Sequence, residues 1–218
     1  MNEINRKFEA VDTIIFDLGG VLVDLDIART IGAFDQLGLS QLASEINKGH
    51  HTGLLAQLEK GLIDENDFFD QIQRLSPHGI SIPQIEMAWN AMLVGFPKER
   101  VAVLEELKNK KTLLLLSNTN SIHHRHFDGM ANGYRSLSLL FHRTWYSYQM
   151  NLSKPDPQIF EAVIRHHGLE RKTTLFVDDS LANVEAANCL GLQTLHIKPG
   201  TSIEDYELRN RQPHSTNL

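Results

Sequence analysis

The sequence lacks several features that would assign it to whole classes of protein. Among its 218 residues there is one cysteine, Cys189, so an internal disulfide is excluded and a reducing cytoplasm is favoured. The apolar helical context of Cys189 predicts a small core residue rather than a reactive thiol. No run of 18 apolar residues exists to span a membrane. The charged first ten residues lack the apolar stretch of a secretory signal.

The charge pattern excludes a further class of partner. The formal net charge is −6, and acidic and basic residues are interspersed along the chain, so no basic stripe is available to bind nucleic acid. We therefore expect a cytoplasmic protein with no membrane and no nucleic-acid partner. The sequence leaves a monomer and a homodimer equally open.

Two kinds of hydrophobic pattern divide the chain. Residues 27–95 carry successive helical patterns and no convincing strand, with Asp64 as a helix cap and Pro83 in a first helical turn. From residue 95 onward, short apolar strands alternate with helices, which implies a parallel sheet covered on both faces. One more apolar strand, residues 13–16, precedes the helical stretch. We predict an α/β core from residues 1–25 and 96–218, interrupted by a helical cap over residues 26–95.

The end of the first strand carries the strongest local signal. Asp17 directly follows the apolar residues 13–16, and Gly19 and Gly20 come next. A glycine turn can aim successive N–H groups at an anion, while the carboxylate serves as a nucleophile or a metal ligand. The alternative is an ordinary turn or helix-capping aspartate, which the segment alone does not exclude.

Polar residues also follow the other predicted strands. Ser117 and Asn118 follow one strand, and the pair Asp178 and Asp179 follows another. Lys154 lies between them, just before a predicted helix. Each feature alone has a simple explanation, such as a helix cap or a solvated loop. Because the carboxyl ends of parallel strands meet at one edge of the sheet, the four features together predict a site there.

Four motifs carry a resemblance to a known family. Residues 17–22 (DLGGVL), 116–119 (LSNT), 154–155 (KP) and 177–180 (VDDS) resemble, in this order, those of the haloacid dehalogenase-like hydrolases. The cap segment 59–63 (EKGLI), with Asp24 and Asp26, is more similar to the bacterial glucose-1-phosphatase-like branch. The resemblance covers nearly the whole chain. It implies a Rossmann-like parallel sheet with an inserted α-helical cap.

The resemblance also implies a reaction and a cofactor. Asp17 would attack phosphorus to form an aspartyl-phosphate, and Lys154 would neutralise the crowded anions. Mg²⁺ would be held by Asp17, the carbonyl of Gly19 and Asp179, with Asp178 bound directly or through water, since the ion prefers oxygen ligands. Asn183 would orient Asp179. The residues expected to bind the phosphate or the rest of a small phosphorylated metabolite are Leu18, Gly19, Ser117, Asn118, Lys154, His50 and His51.

One position departs from the phosphatase pattern. Phosphatases of this family usually carry a second aspartate, which exchanges protons with the leaving group and water, where this chain has Gly19. Asp24, Asp26, His50 or His51 could substitute for it. Alternatively, the substrate needs little protonation, as for a hexose-1-phosphate, or the chain is a weak enzyme or only binds a phosphorylated ligand.

A metal-independent 2-haloacid dehalogenase is a further alternative, because the namesake enzymes also lack the second aspartate. The pair Asp178 and Asp179 favours a cation site and therefore a magnesium-dependent phosphatase. For the histidines at 123, 124 and 126 we expect a solvated helix face, with substrate contacts at the rim of the site as the alternative.

Overall fold

The computed structural model describes residues 2–47, 53–76 and 79–205. Its centre is a five-stranded sheet, and the first strand is fully buried because all four of its residues are apolar or β-branched. A second, two-stranded sheet lies beside it. The strands are β1 (Thr13–Phe16), β2 (Asp24–Leu25), β3 (Leu93–Gly95), β4 (Thr112–Ser117), β5 (Arg143–Tyr146), β6 (Thr174–Asp178) and β7 (Gln193–His196).

The order of the large sheet places the end of β1 at a topological switch point. The order is β5-β4-β1-β6-β7, and every neighbouring pair is parallel. The chain leaves β1 for one side of the sheet and later crosses to the other side. Phe16 is in register with Leu115 of β4 and Val177 of β6, so the next residues of all three strands lie at one edge. In open α/β sheets this is where ligands bind.

Helices cover both faces of the large sheet, as the continuous apolar strands predicted. Ile14 and Phe16 face one buried cluster, whereas Ile15 faces another together with Phe160 and Phe176. The helices are α1 (Glu3–Glu9), α2 (Ile27–Gln36), α3 (Ser40–Asn47), α4 (Gly53–Glu59), α5 (Glu65–Leu75), α6 (Ile82–Asn90), α7 (Lys98–Lys108), α8 (Ser121–Phe127), α9 (Ser147–Met150), α10 (Pro157–His167) and α11 (Leu181–Cys189).

Helices α2 to α6, here called the helical insert, have a hydrophobic cluster of their own. Trp89 is fully buried there, with Phe34 and Phe68 beside it. Asp64 caps α5 by accepting a hydrogen bond from the Asp67 backbone N–H at 2.9 Å, and Pro83 lies in the first turn of α6. Both helix starts match the sequence prediction.

Helix α8 packs against the helical insert, which corrects the prediction of a fully solvated histidine face. Arg125 and His126 are exposed, but His123 is buried and its ring stacks on Trp89 with centroids 4.5 Å apart. Arg125 also donates to Glu65 and Glu86 of the insert, each at 2.7 Å. The sequence periodicity of α8 could not reveal this face, because its partner lies 34 residues away along the chain.

The structure differs from the sequence prediction at three further places. The stretch 27–95 contains a strand, β3, which pairs antiparallel with β2; at three residues it is too short to leave a periodic signal. Helix α1 was not predicted, although Phe8 packs edge-on against Phe16 in the core. Cys189 is exposed rather than in the core, because α11 buries Val184 and Ala187 on its other side.

No helix in the described ranges has the length and apolar character needed to cross a membrane.

Candidate active site

Four side chains converge at the carboxyl edge of the large sheet. Asp17 follows β1, Ser117 ends β4, and Asp178 ends β6. Lys154 reaches the same place from the loop before α10. All four side chains are buried, with exposed fractions between 0 and 8%. The structure therefore brings together the motifs that the sequence scatters over 160 residues.

Lys154 joins the two buried carboxylates. Its Nζ donates to Asp17 Oδ1 at 2.5 Å and to Asp178 Oδ2 at 2.7 Å. Burial alone would lower the pKa of Lys154, but the two carboxylates outweigh it and raise that pKa above its ordinary value. The ammonium group is therefore charged and fixed beside Asp17.

The charge of this cluster is unbalanced. Oxygen atoms of Asp17, Asp178 and Asp179 all lie within 4.8 Å of one another, with one ammonium among them. Burial raises the pKa of Asp17 to about 7; Lys154 opposes this rise, and Asp178 adds to it. The negative charge of three carboxylates exceeds the positive charge of one ammonium, and a divalent cation would balance the difference. An all-oxygen donor set fits Mg²⁺.

Neighbouring polar groups fix Asp178. Its Oδ1 accepts from the Ser180 backbone N–H at 2.8 Å, and Asn183 Nδ2 lies 3.1 Å from both carboxylate oxygens. The prediction that Asn183 orients Asp179 is wrong, because the Asn183 amide contacts Asp178. Asn183 lies in the first turn of α11, where its amide faces the end of β6 instead.

Gly20 is required where the glycine turn passes Asp179. It has a φ of +71°, and an added Cβ would overlap Asp179 Oδ2. We expect Gly20→Ala to displace the Asp179 carboxylate and to raise the Mg²⁺ concentration for half-maximal activity by ~10-fold or more, in line with the ~10–100-fold typical of lost support for metal ligands.

A magnesium titration of turnover measures this effect. Gly129→Ala is the matched control, since a Cβ there meets no atom within 4 Å and Gly129 does not have a positive φ. An unchanged magnesium dependence in Gly20→Ala would show that Asp179 does not hold the metal.

Asn118 has a supporting contact that sequence alone did not indicate. Its amide Nδ2 donates to the Lys154 carbonyl at 2.8 Å, and its Oδ1 accepts from the Lys154 backbone N–H at 2.9 Å. This two-way contact holds Lys154 against the end of β4. The Asn118 side chain thus positions Lys154, while its backbone and Ser117 remain the groups expected to face phosphate.

The position of the absent second aspartate is occupied by an apolar side chain. A Cβ added at Gly19 would lie 2.8 Å from Leu25 Cδ1. Asp24 pairs with Arg100 at 2.8 Å, and Asp26 pairs with Arg29 at 3.1 Å. His50 and His51, the other suggested substitutes and substrate contacts, lie outside the described residues.

A cleft of about 140 Å³ opens between this edge of the sheet and the helical insert. Leu18, Gly19, Ser117 and Asn118 line it from the sheet side. Glu59, at the end of α4, lines it from the insert. The sequence does not indicate Glu59 as a site residue, although Glu59 begins the segment 59–63 that carries part of the family resemblance.

Comparisons with known proteins agree with this geometry. The family model for haloacid dehalogenase-like hydrolases matches residues 11–191. A D-ribitol-5-phosphate phosphatase of Bacteroides thetaiotaomicron is 28% identical over 192 residues, which are 87% of this chain and 93% of that protein.

Solved structures give the same result. A crystal structure of a family enzyme from Bacteroides thetaiotaomicron, in complex with magnesium and inorganic phosphate, has a TM-score of 0.82 and 36% identity, and covers 88% of this chain and 96% of that one. The L-2-haloacid dehalogenase of Xanthobacter autotrophicus has a TM-score of 0.59 at 15% identity over 86% of this chain and 77% of that one, a likeness of fold alone. The protein belongs to the haloacid dehalogenase-like hydrolases.

Proposed function

We propose that this protein is a magnesium-dependent phosphatase that hydrolyses a small sugar or polyol phosphate through an aspartyl-phosphate on Asp17. The observation that carries the proposal is the buried cluster in which Lys154 bridges Asp17 and Asp178 beside Asp179. The relatives support a magnesium-dependent phosphatase: one is named a D-ribitol-5-phosphate phosphatase, and another was crystallised with magnesium and phosphate.

Each residue of the site has a separate role in the proposed reaction. Lys154 fixes one oxygen of Asp17, so that the other can attack phosphorus from the end of β1. Ser117 and the N–H groups of the glycine turn hold the phosphate oxygens. Asp17, Asp178, Asp179 and the Gly19 carbonyl would hold Mg²⁺. When bound, the ion reduces the repulsion between the carboxylate and the phosphate and stabilises charge on the transferring group.

The helical insert serves as a cap in this proposal, with residues 26–95 as its bounds. The cleft of about 140 Å³ is smaller than the roughly 300–1,000 Å³ typical of ligand sites. We expect the insert to move away from the sheet edge to admit a sugar phosphate. Reclosure would exclude bulk water from the site during the transfer of the phosphoryl group to Asp17.

Two considerations bear on the identity of the substrate: how good its leaving group is, and which substrate a relative is named for. A hexose-1-phosphate would need little protonation, because its anomeric oxygen is a good leaving group. D-Ribitol-5-phosphate, named for the relative, releases an ordinary alcohol and requires an acid. Both belong to one class of small polyhydroxylated phosphates, and the polyol is favoured by the similarity over 87% of this chain.

The alternatives have weaker support. A metal-independent dehalogenase has no use for a third carboxylate at the site, whereas this chain places Asp179 beside Asp17 and Asp178. A protein that only binds a phosphorylated ligand has no need for an aspartate in contact with a buried lysine. Release of chloride from 2-chloropropionate in the presence of EDTA would favour the dehalogenase.

Metal removal tests the proposed function. We expect turnover of a panel of sugar and polyol phosphates to be lost on treatment with EDTA and to return with Mg²⁺, because the carboxylate cluster repels a phosphate without the ion. Ca²⁺ is a suitable control for the ion's identity, since it prefers longer bonds and more ligands than Mg²⁺. Full phosphate release in EDTA would contradict the proposal.

A further inference from the structure

We propose that Glu59 is the general acid and base of this enzyme and replaces the aspartate that is absent at Gly19. The inference rests on the proposed phosphatase function and adds a catalytic residue to it. It assigns to the helical insert the proton transfers that the sheet edge cannot provide.

The sheet edge cannot carry this role itself. Gly19 has no side chain, and Leu25 Cδ1 fills the space directly over it. A longer residue at position 19 would have to displace Leu25, which lines the same cleft. The usual position therefore holds no carboxylate, and the side-chain atoms nearest to it belong to the apolar Leu25.

The nearby carboxylates of the first motif are engaged elsewhere. Asp24 pairs with the mostly buried Arg100, which also binds Glu204, and Asp26 pairs with Arg29. Neither lines the cleft. Among the described residues that line the cleft, Glu59 and His123 have side chains that can donate or accept a proton. His123 is stacked on Trp89, and its Nε2 lies 3.1 Å from the Trp89 carbonyl.

Several contacts dock the turn after Glu59 onto the core. Ser147 Oγ lies 2.6 Å from the Glu59 carbonyl and 2.9 Å from the carbonyl of Thr119, in the loop after Ser117 and Asn118. Thr119 N–H donates back to Ser147 Oγ at 2.9 Å. One hydroxyl therefore ties the end of α4 to the loop that is expected to hold phosphate.

Gly61 strengthens this docking. Its φ is +62°, and an added Cβ would overlap the Tyr148 carbonyl, so the turn lies directly against α9. Asn151 Nδ2 donates to the Lys60 carbonyl at 3.0 Å. These contacts hold the backbone of Glu59 and the turn after it against the core, beside the cleft that Glu59 lines. A proton-transfer group requires such a defined position.

The proton transfers balance over two steps. As Asp17 attacks phosphorus, the bond from phosphorus to the substrate oxygen breaks, and protonated Glu59 gives its proton to that oxygen. The resulting Glu59 carboxylate then takes a proton from water as the water oxygen attacks phosphorus. The bond between phosphorus and Asp17 breaks, and phosphate leaves with both side chains restored.

The test uses a series of substituted phenyl phosphates, which have no hydroxyl groups for Glu59 to bind. We expect Glu59→Gln to lower kcat/KM by ~10²–10⁴-fold for esters with poor leaving groups and by less than ~10-fold for p-nitrophenyl phosphate, which needs little protonation. The same variant should release a burst of one p-nitrophenol per enzyme with Mg²⁺ present and then turn over slowly, because water is no longer activated.

Controls separate this role from a structural one. Glu45 is a half-buried carboxylate of the same insert that does not line the cleft. Glu45→Gln should therefore change neither the dependence of kcat/KM on the leaving group nor the release of p-nitrophenol. Glu59→Asp should recover part of the activity on poor leaving groups. An equal loss on every ester, or no burst, would overturn the assignment to Glu59. Activity that survives Asp17→Asn would instead overturn the proposed function.

Discussion

Asp17→Asn is expected to reduce phosphatase turnover by roughly 10⁴-fold or more, because the amide cannot attack phosphorus and such losses accompany removal of a covalent nucleophile. The change preserves shape and removes one charge from a cluster in which burial already raises the pKa of Asp17 to about 7. The variant should therefore remain folded. Steady-state release of phosphate with Mg²⁺ measures the loss, and acid-quenched enzyme should contain no protein-bound phosphate.

Asp12→Asn is the matched control for this prediction. Asp12 is exposed and lies at the opposite end of the same strand from Asp17. Its variant should retain full turnover and accumulate phosphoenzyme as the parent does. Comparable activity in Asp17→Asn and Asp12→Asn would exclude a covalent mechanism on Asp17.

Lys154→Met is expected to impair both stability and catalysis. It would leave Asp17 and Asp178 buried without their shared cation, and loss of one partner of a buried ion pair costs ~3–5 kcal/mol of unfolding free energy. Turnover should fall by ~10²–10³-fold, the scale for losing one fixed donor at a developing charge. Urea unfolding of the metal-free protein and phosphate release measure the two effects.

The stability loss in Lys154→Met should depend on pH with a definite sign. Without the ammonium, the folded-state pKa of Asp17 rises further above its unfolded value, so the folded form prefers the protonated acid. The penalty is then greatest at neutral pH and above and shrinks as the pH falls toward 4. Lys172→Met, at an exposed lysine before β6, should show no such dependence. A pH-independent loss in Lys154→Met would contradict the charge argument.

The sequence was informative where local chemistry determines structure. The apolar strands and the polar residues after them predicted the sheet edge and the meeting of Asp17, Lys154 and Asp178. Because parallel strands all end at the same edge of their sheet, this prediction depends little on the rest of the fold. Asp64 and Pro83 marked helix starts for the same reason, since capping depends on neighbours within one turn.

The sequence could not predict contacts between distant segments. His123 is buried because the insert packs over α8, and Cys189 is exposed because α11 turns its other side inward. Leu25 lies next to Gly19 and belongs to β2, whose partner is the three-residue strand β3. The end of α4 is held beside the cleft by contacts of the Glu59 carbonyl with Ser147 and of Gly61 with Tyr148, nearly 90 residues further along the chain.

The most direct test is the anomalous scattering of Mn²⁺ in crystals of the protein soaked with this ion in place of Mg²⁺. A single peak is expected beside the carboxylates of Asp17, Asp178 and Asp179 and the Gly19 carbonyl, at roughly the 2.0–2.2 Å typical of oxygen ligands to small divalent ions. A peak elsewhere, or none at saturating Mn²⁺, would contradict a metal-assisted reaction at Asp17.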